Sequence, residues 1–172
     1  MGDSMKQMPK KSEYKILVVS DTHGDNRLIN QILKKEPDVD ALIHCGDVCG
    51  SLEGVLDADI PVYAVAGNCD YSGSYPESLT VKIGYYNIFI NHGHRYHVDY
   101  RDDLIFYAGK EKYADVVCFG HSHVPQNLTE EGMLLLNPGS VARPRQIPRK
   151  GTYAILSITE DALPSAKLKT IE

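Results

Sequence analysis

Five short apolar runs in this chain each break off at a glycine, asparagine, aspartate or histidine, and this punctuation constrains the fold more than any other feature. Lys15 to Ser20 (KILVVS) is a β-branched run that ends in Asp21-Thr22-His23-Gly24. Asp40 to Cys45 (DALIHC) ends in Gly46-Asp47, and Ile60 to Ala66 (IPVYAVA) ends in Gly67-Asn68-Cys69-Asp70. Runs of this length and composition read as buried strands. Between the first two, Asn26 to Glu36 places Leu28, Ile29, Ile32 and Leu33 at helical spacing, with Pro37 just past the stop. Gly50 to Asp57 reads as a short helix. Strand, helix, strand, strand predicts a βαβ unit with a parallel sheet.

The second half is richer in strands. Ser78 to Ile83 and Tyr86 to Asn91 flank Gly84-Tyr85 as a hairpin, Tyr100 to Tyr113 reads as a helix, and Asp115 to Phe119 as a strand ending in Gly120-His121-Ser122-His123. Met133 to Leu136, Thr152 to Ile158 and Ala166 to Ile171 complete the predicted strands, and Pro138 to Gly151 reads as a long loop. The expected architecture is α/β: two packed mixed sheets, a β-sandwich, with helices outside. At 172 residues the chain suits one domain, expected over residues 14–172, behind a polar tail of residues 1–13 expected to fray. A chain this long buries roughly 70% of its unfolded surface and needs no disulfide or metal merely to fold.

Composition removes several classes of function. No apolar run approaches the ~20 residues of a membrane span. A net charge of −5 argues against broad nucleic-acid binding. The four cysteines form no Cys-x-x-Cys pair and no signal peptide precedes them, so a cytoplasmic chain with reduced thiols is expected. Cys45-x-x-x-Cys49 reads as packing.

The chemistry-bearing residues fall at the carboxyl ends of the strands: Asp21, His23, Asp47, Asn68, His92, His121 and His123. In open α/β sheets that end is where ligands bind. The two-residue spacing in Asp21/His23 and His121/His123 lets each pair point one way from extended backbone. Imidazole mixed with carboxylate suits manganese, iron, zinc, cobalt or nickel rather than calcium or a four-thiolate zinc site. These side chains are too many for one ion with room for a substrate. Two ions sharing a carboxylate accommodate them, and Asp47, at the middle strand end, is the natural bridge.

The ordered blocks Asp21-x-His23, Gly46-Asp47, Gly67-Asn68-x-Asp70, His92-Gly93-His94 and Gly120-His121-Ser122-His123 resemble the calcineurin-like metallophosphoesterase superfamily. The resemblance runs from about Lys15 to the C-terminus. The runs His44-Cys45-Gly46-Asp47 and Asn137-Pro138-Gly139-Ser140 are similar to its compact bacterial and archaeal phosphodiesterase branch, whose fold the retromer subunit shares. The resemblance implies a four-layer sandwich and a first metal held by Asp21, His23 and His123. It implies a second held by Asn68, His92 and His121, with Asp47 between them. Two divalent ions, manganese first among them, would clamp the phosphoryl oxygens of a small phosphodiester while a metal-bridging hydroxide attacks phosphorus.

The chain departs from the family pattern at Cys69, where much of the superfamily has a histidine thought to assist the leaving group. A thiol near its ordinary pKa is a poor acid in that role. Asn68 and His94 are therefore the expected catalytic side chains, and His94, Arg143 and Arg145 the expected substrate contacts. His44 is expected to orient Asp47 or to pack around it, and His97 has no assigned role. Tyr71, Tyr75, Tyr96 and Tyr100 are candidates for the wall of a nucleoside or aryl pocket. The expected partner is a small phosphoester substrate, with a homo-oligomer left open and no membrane. The alternatives are a non-catalytic interaction scaffold of the same fold, and a phosphomonoesterase or dinucleoside polyphosphate hydrolase on the same site.

Overall fold

The computed structural model describes residues 8–172. Two five-stranded sheets face each other. The first contains β1 (Glu13–Val19), β2 (Ala41–His44), β3 (Val62–Ala64), β9 (Thr152–Thr159) and β10 (Ser165–Thr170), in the order β10-β9-β1-β2-β3. The second contains β4 (Ser78–Ile83), β5 (Tyr86–Asn91), β6 (Val116–Cys118), β7 (Gln126–Glu130) and β8 (Met133–Asn137), in the order β4-β5-β6-β8-β7. Each sheet has a parallel centre, β1-β2-β3 in one and β5-β6-β8 in the other. All six of these strands therefore end on the same side as their sheet neighbours, which gathers their C-terminal loops.

The alternation of side chains along each strand builds the layers. Ile16, Val18 and Ile43 of the first sheet pack against Ile88, Ile90, Val116 and Leu136 of the second, forming the core between sheets. The alternate residues Leu17, Val19 and Leu42 face outward onto Ile29, Ile32 and Leu33 of α1 (Leu28–Lys35). Phe89, Val117 and Leu135 do the same beneath Ile105 and Phe106 of α2 (Asp103–Glu111). The result is the expected four-layer sandwich. Asp103 in the first turn of α2 and Lys110 in the last both complement the helix dipole.

Three expectations change. Residues 50–57 form turns rather than a helix, with Val55 and Leu56 both donating to the Leu52 carbonyl. Gly50, Ser51, Gly54 and Asp57 give that stretch too little helix propensity to propagate. β7 was not expected from the sequence. It is a polar edge strand, QNLTE, joined to β8 by Glu131-Gly132, both with positive φ (48° and 78°). Of the expected frayed tail, residues 1–7 lie outside the described residues, while residues 8–13 are tied down. Met8 packs on the inter-sheet core, the Pro9 carbonyl accepts a bond from the Tyr14 hydroxyl at 3.0 Å, and Lys11 pairs with Asp40. Among the described residues, no helix is long and apolar enough to cross a membrane.

Candidate metal centre

The loops after β1, β2, β3, β5 and β6 converge, and left-handed backbone aims their side chains inward. Asp21, His23, Asp47, His121 and His123 all have positive φ, between 45° and 70°. For a residue with a Cβ this costs on the order of 1–2 kcal/mol, so the surrounding bonds must impose it. Asp21 N–H donates to the Gly46 carbonyl, His23 N–H to Asp47 and Gly24 N–H to Val48, each at 3.0 Å. Ser140 Oγ donates to the Asp21 carbonyl and accepts from Arg143 N–H, both at 2.8 Å. Asn137 Nδ2 bonds the Gly120 carbonyl at 3.1 Å and Ser122 Oγ at 2.9 Å. The Asn-Pro-Gly-Ser run is thus a brace behind the first and fifth blocks.

Asp70 has a role that the sequence reading did not assign. Its carboxylate collects the backbone N–H groups of Asp47 (2.8 Å), Val48 (3.3 Å), Cys49 (2.7 Å) and Gly67 (2.8 Å), fixing the turn that carries Asp47. Gly67 lies so close that a Cβ there would stand 2.1 Å from Asp47 Oδ1. Cys69 contributes through its backbone, donating N–H to Asp47 Oδ1 at 2.8 Å. Burial and Asp47 push its thiol up in pKa, which makes it a weaker acid than a free cysteine.

The donor atoms of Asp21, His23, Asp47 and His123 all lie within 4.8 Å of one another. Asp21 Oδ1 is 3.1 Å from His123 Nε2 and 3.7 Å from His23 Nε2. A second group adjoins the first: Asn68 Oδ1 is 3.0 Å from His92 Nε2 and 3.1 Å from His121 Nδ1. Asp47 Oδ2 stands between them, 3.5 Å from His23 Nε2 and 3.4 Å from His92 Nε2.

The donor set fits cations. His92 Nδ1 faces the Cys45 carbonyl at 2.7 Å and His123 Nδ1 faces that of Arg143 at 2.7 Å. A carbonyl only accepts, so each Nδ1 carries a proton and each neutral ring turns an Nε2 lone pair inward. Those lone pairs meet carboxylate oxygens that also only accept. Asp21 Oδ1 is buried without a hydrogen bond, although Oδ2 is satisfied by Ser20 Oγ (2.6 Å) and His121 N–H (3.1 Å). A cation is the partner such a set lacks. Burial opposes ionisation of Asp21, but His123 and His23, where their facing nitrogens carry a proton in place of a cation, hold its pKa well below the usual range. Burial likewise opposes charge on His92, yet Asp47 and Asp21 raise its pKa, so proton and metal compete for one nitrogen.

The remaining expected residues divide. His94 sits beside the cluster, its ring 5.4 Å from that of His92 and 6.1 Å from that of His121, with Nδ1 buried and unbonded. Burial, then His92 and His121, lower its pKa and favour the neutral ring. Arg143 and Arg145 reach the cluster through backbone, Arg145 N–H donating to the His123 carbonyl at 3.1 Å, and their side chains are exposed. Of the two roles expected of His44, the structure shows buried packing beside the Asp47 turn and no bond to the Asp47 carboxylate; its Nδ1 accepts from Gly46 N–H at 3.2 Å and its Nε2 meets Thr22 Oγ1 at 2.9 Å. Tyr75 packs partly buried against the core beside α1, its hydroxyl bonded to backbone at Leu52 and Gly50. Tyr96 packs against the α2 core, while Tyr71 and Tyr100 stay exposed. Cys45 packs in the core as expected, whereas Cys49 Sγ lies 3.9 Å from His23 Nδ1.

Residues 14–161 match the calcineurin-like phosphoesterase superfamily domain. This chain belongs to that family. Among its relatives is the probable metallophosphoesterase YsnB of Bacillus subtilis, 38% identical over 148 residues that make up 86% of each protein. A solved Streptococcus pneumoniae protein described as a predicted phosphoesterase superposes with a TM-score of 0.77 at 28% identity, covering 93% of this chain and all of that one. A protein described as a novel archaeal phosphodiesterase gives 0.67 at 26% identity, over 90% and 99% of the two chains. Vacuolar Protein Sorting 29 of Cryptosporidium parvum shares the fold, with a TM-score of 0.69 at 16% identity over 94% and 100%. The family's divalent-metal chemistry agrees with the acceptor-only cluster in this phosphoesterase-family chain.

Proposed function

We propose that this chain is a binuclear metal-dependent phosphodiesterase acting on a small phosphodiester in the cytoplasm. The observation that carries the reading is the buried, unbonded Asp21 Oδ1 facing imidazole lone pairs across the cluster. Asp21, His23 and His123 would hold one ion and Asn68, His92 and His121 the other, with Asp47 shared between the two groups. Two divalent ions, manganese foremost, would supply Lewis acidity at the phosphoryl oxygens and a water of lowered pKa. The chain's own groups do the rest. The Cys45 and Arg143 carbonyls fix the tautomers of His92 and His123. Asn68 offers Oδ1 inward while its Nδ2 donates to Cys69 Sγ at 3.5 Å. His94, beside both ligand histidines and favouring the neutral ring, offers a substrate oxygen a hydrogen bond rather than a proton. Arg143 and Arg145 take up the outer charge of the phosphate. Preference for a diester is supported by the likeness to the archaeal phosphodiesterase and by Cys69, since a good leaving group needs least acid assistance.

The test compares aryl phosphodiester and monoester hydrolysis with manganese for wild type, Asp47→Asn and His121→Ala. Both variants should lose at least about a hundredfold in turnover while keeping a wild-type circular dichroism spectrum. Unchanged turnover in either would falsify the metal assignment, and faster monoester cleavage by the wild type would overturn the diester preference.

A further inference from the structure

Asp99 belongs to none of the sequence blocks, yet its Oδ2 lies 2.9 Å from His121 Nε2. It sits between the single turn His94–Tyr96 and α2, next to Val98, which is buried in the core under that helix. The pair is partly exposed, with side-chain accessibilities of 24% for His121 and 31% for Asp99. Across the ring, His121 Nδ1 faces Asn68 Oδ1 at 3.1 Å. His121 is thus turned opposite to His92 and His123, which point Nε2 inward and tie Nδ1 to backbone carbonyls. What carries the outward N–H of His121 is a carboxylate rather than a carbonyl. A neutral imidazole has one N–H, and Asp99 only accepts, so the proton sits on Nε2 and the Nδ1 lone pair meets another acceptor, Asn68 Oδ1. A metal-bound histidine depends on such an outer partner for its tautomer and ring orientation.

We propose that Asp99 is a positioning residue, fixing the Nε2–H tautomer of His121 so that Nδ1 completes the ion position shared with Asn68 and His92. The inference rests on the two-ion reading above. It makes the second ion, but not the first, sensitive to a residue outside the ligand set.

Two measurements test it on the full chain. Long-range ¹⁵N–¹H spectra of the metal-free protein, with His121 assigned by its loss in His121→Asn, read the tautomer directly. Calorimetric titration of metal-depleted protein with manganese reads the two affinities. In wild type, His121 should carry its proton on Nε2. Asp99→Ala should mix the tautomers and weaken one of the two sites by about 10–100-fold while sparing the other. Asp99→Glu, which keeps an acceptor, should recover most of both effects. An unchanged tautomer in Asp99→Ala overturns the inference, as do two unchanged affinities. Wild type binding a single ion overturns the two-ion reading, and the assignment of a second ion to Asp99's influence with it. A retained activity loss in His121→Ala alongside an unchanged Asp99→Ala tautomer overturns the role of Asp99 alone.

Discussion

His44 is fully buried between the loops that follow β1 and β2 and is held as a neutral ring by one donor and one acceptor. Burial pushes its pKa down from 6.5 to about 4, against the pull of Asp21 and Asp70. The unfolded chain therefore binds more protons between those two values, and stability rises with pH across that window. The contribution is complete above about pH 6.5, declines as pH falls towards 4, and amounts to on the order of 3 kcal/mol. Denaturant unfolding of metal-depleted protein between pH 7 and 4.5 should show that decline, and His44→Gln should flatten it; parallel slopes would contradict the assignment. At this scale the convergence of the candidate residues was legible because each closes an apolar run, which fixes where its loop lies. Asp70 and Asp99 were not assigned, because their contacts depend on where backbone N–H groups and a ring nitrogen point. The hints for Asp70 were its place in the Gly67-Asn68-x-Asp70 block and its spacing of three residues from Gly67, that of a side chain that folds back on its own turn.

The secondary elements were legible where apolar residues repeat with a clear period. The β4–β5 hairpin falls on the expected residues, and both helices lie within their expected spans, shortened at the ends. β7 was missed because its exposed face gives it no apolar alternation; it exists through pairing with β8. In α2, Gly109 looks like a weak point by propensity alone, yet the sheet beneath requires it. A Cβ there would lie 2.5 Å from Val117 Cγ2 and 2.9 Å from Met133 Sδ. Gly109→Ala gains about 1 kcal/mol of helix propensity and loses about 1–3 kcal/mol to overpacking. The expected outcome is net destabilisation of about 1 kcal/mol, a fall in Tm of about 2–4 °C. A rise in Tm would show that helix and sheet can separate freely.

The two sheets contribute unequally to one centre. Asp21, His23, Asp47 and Asn68 follow strands of the first, while His92, His121 and His123 follow strands of the second. Ions bound among them would link the sheets as well as serve catalysis. At a hundredfold excess over Kd, a ligand that binds only the native state adds about 2.7 kcal/mol. Manganese should raise Tm by roughly 5–10 °C over chelator-treated protein, and Asp47→Asn should abolish the shift. Equal melting with and without metal would argue against a bridging centre.

β1, the first strand, lies in the middle of its sheet, between β2 and β9. Its register joins Glu13 to Thr159, near the other end of the chain. During synthesis one edge of β1 can pair as soon as β2 emerges, but the other stays open until β9 has been made. The carbonyl of Asp21 waits equally long for Ser140. Such long-range closure is slow and leaves an unpaired strand edge exposed in the meantime. Translation must therefore pass β9 before the loops of the candidate centre can settle, and a chain stopped earlier would carry the first three blocks without the Ser140 bond and the β9 pairing that brace the first of them.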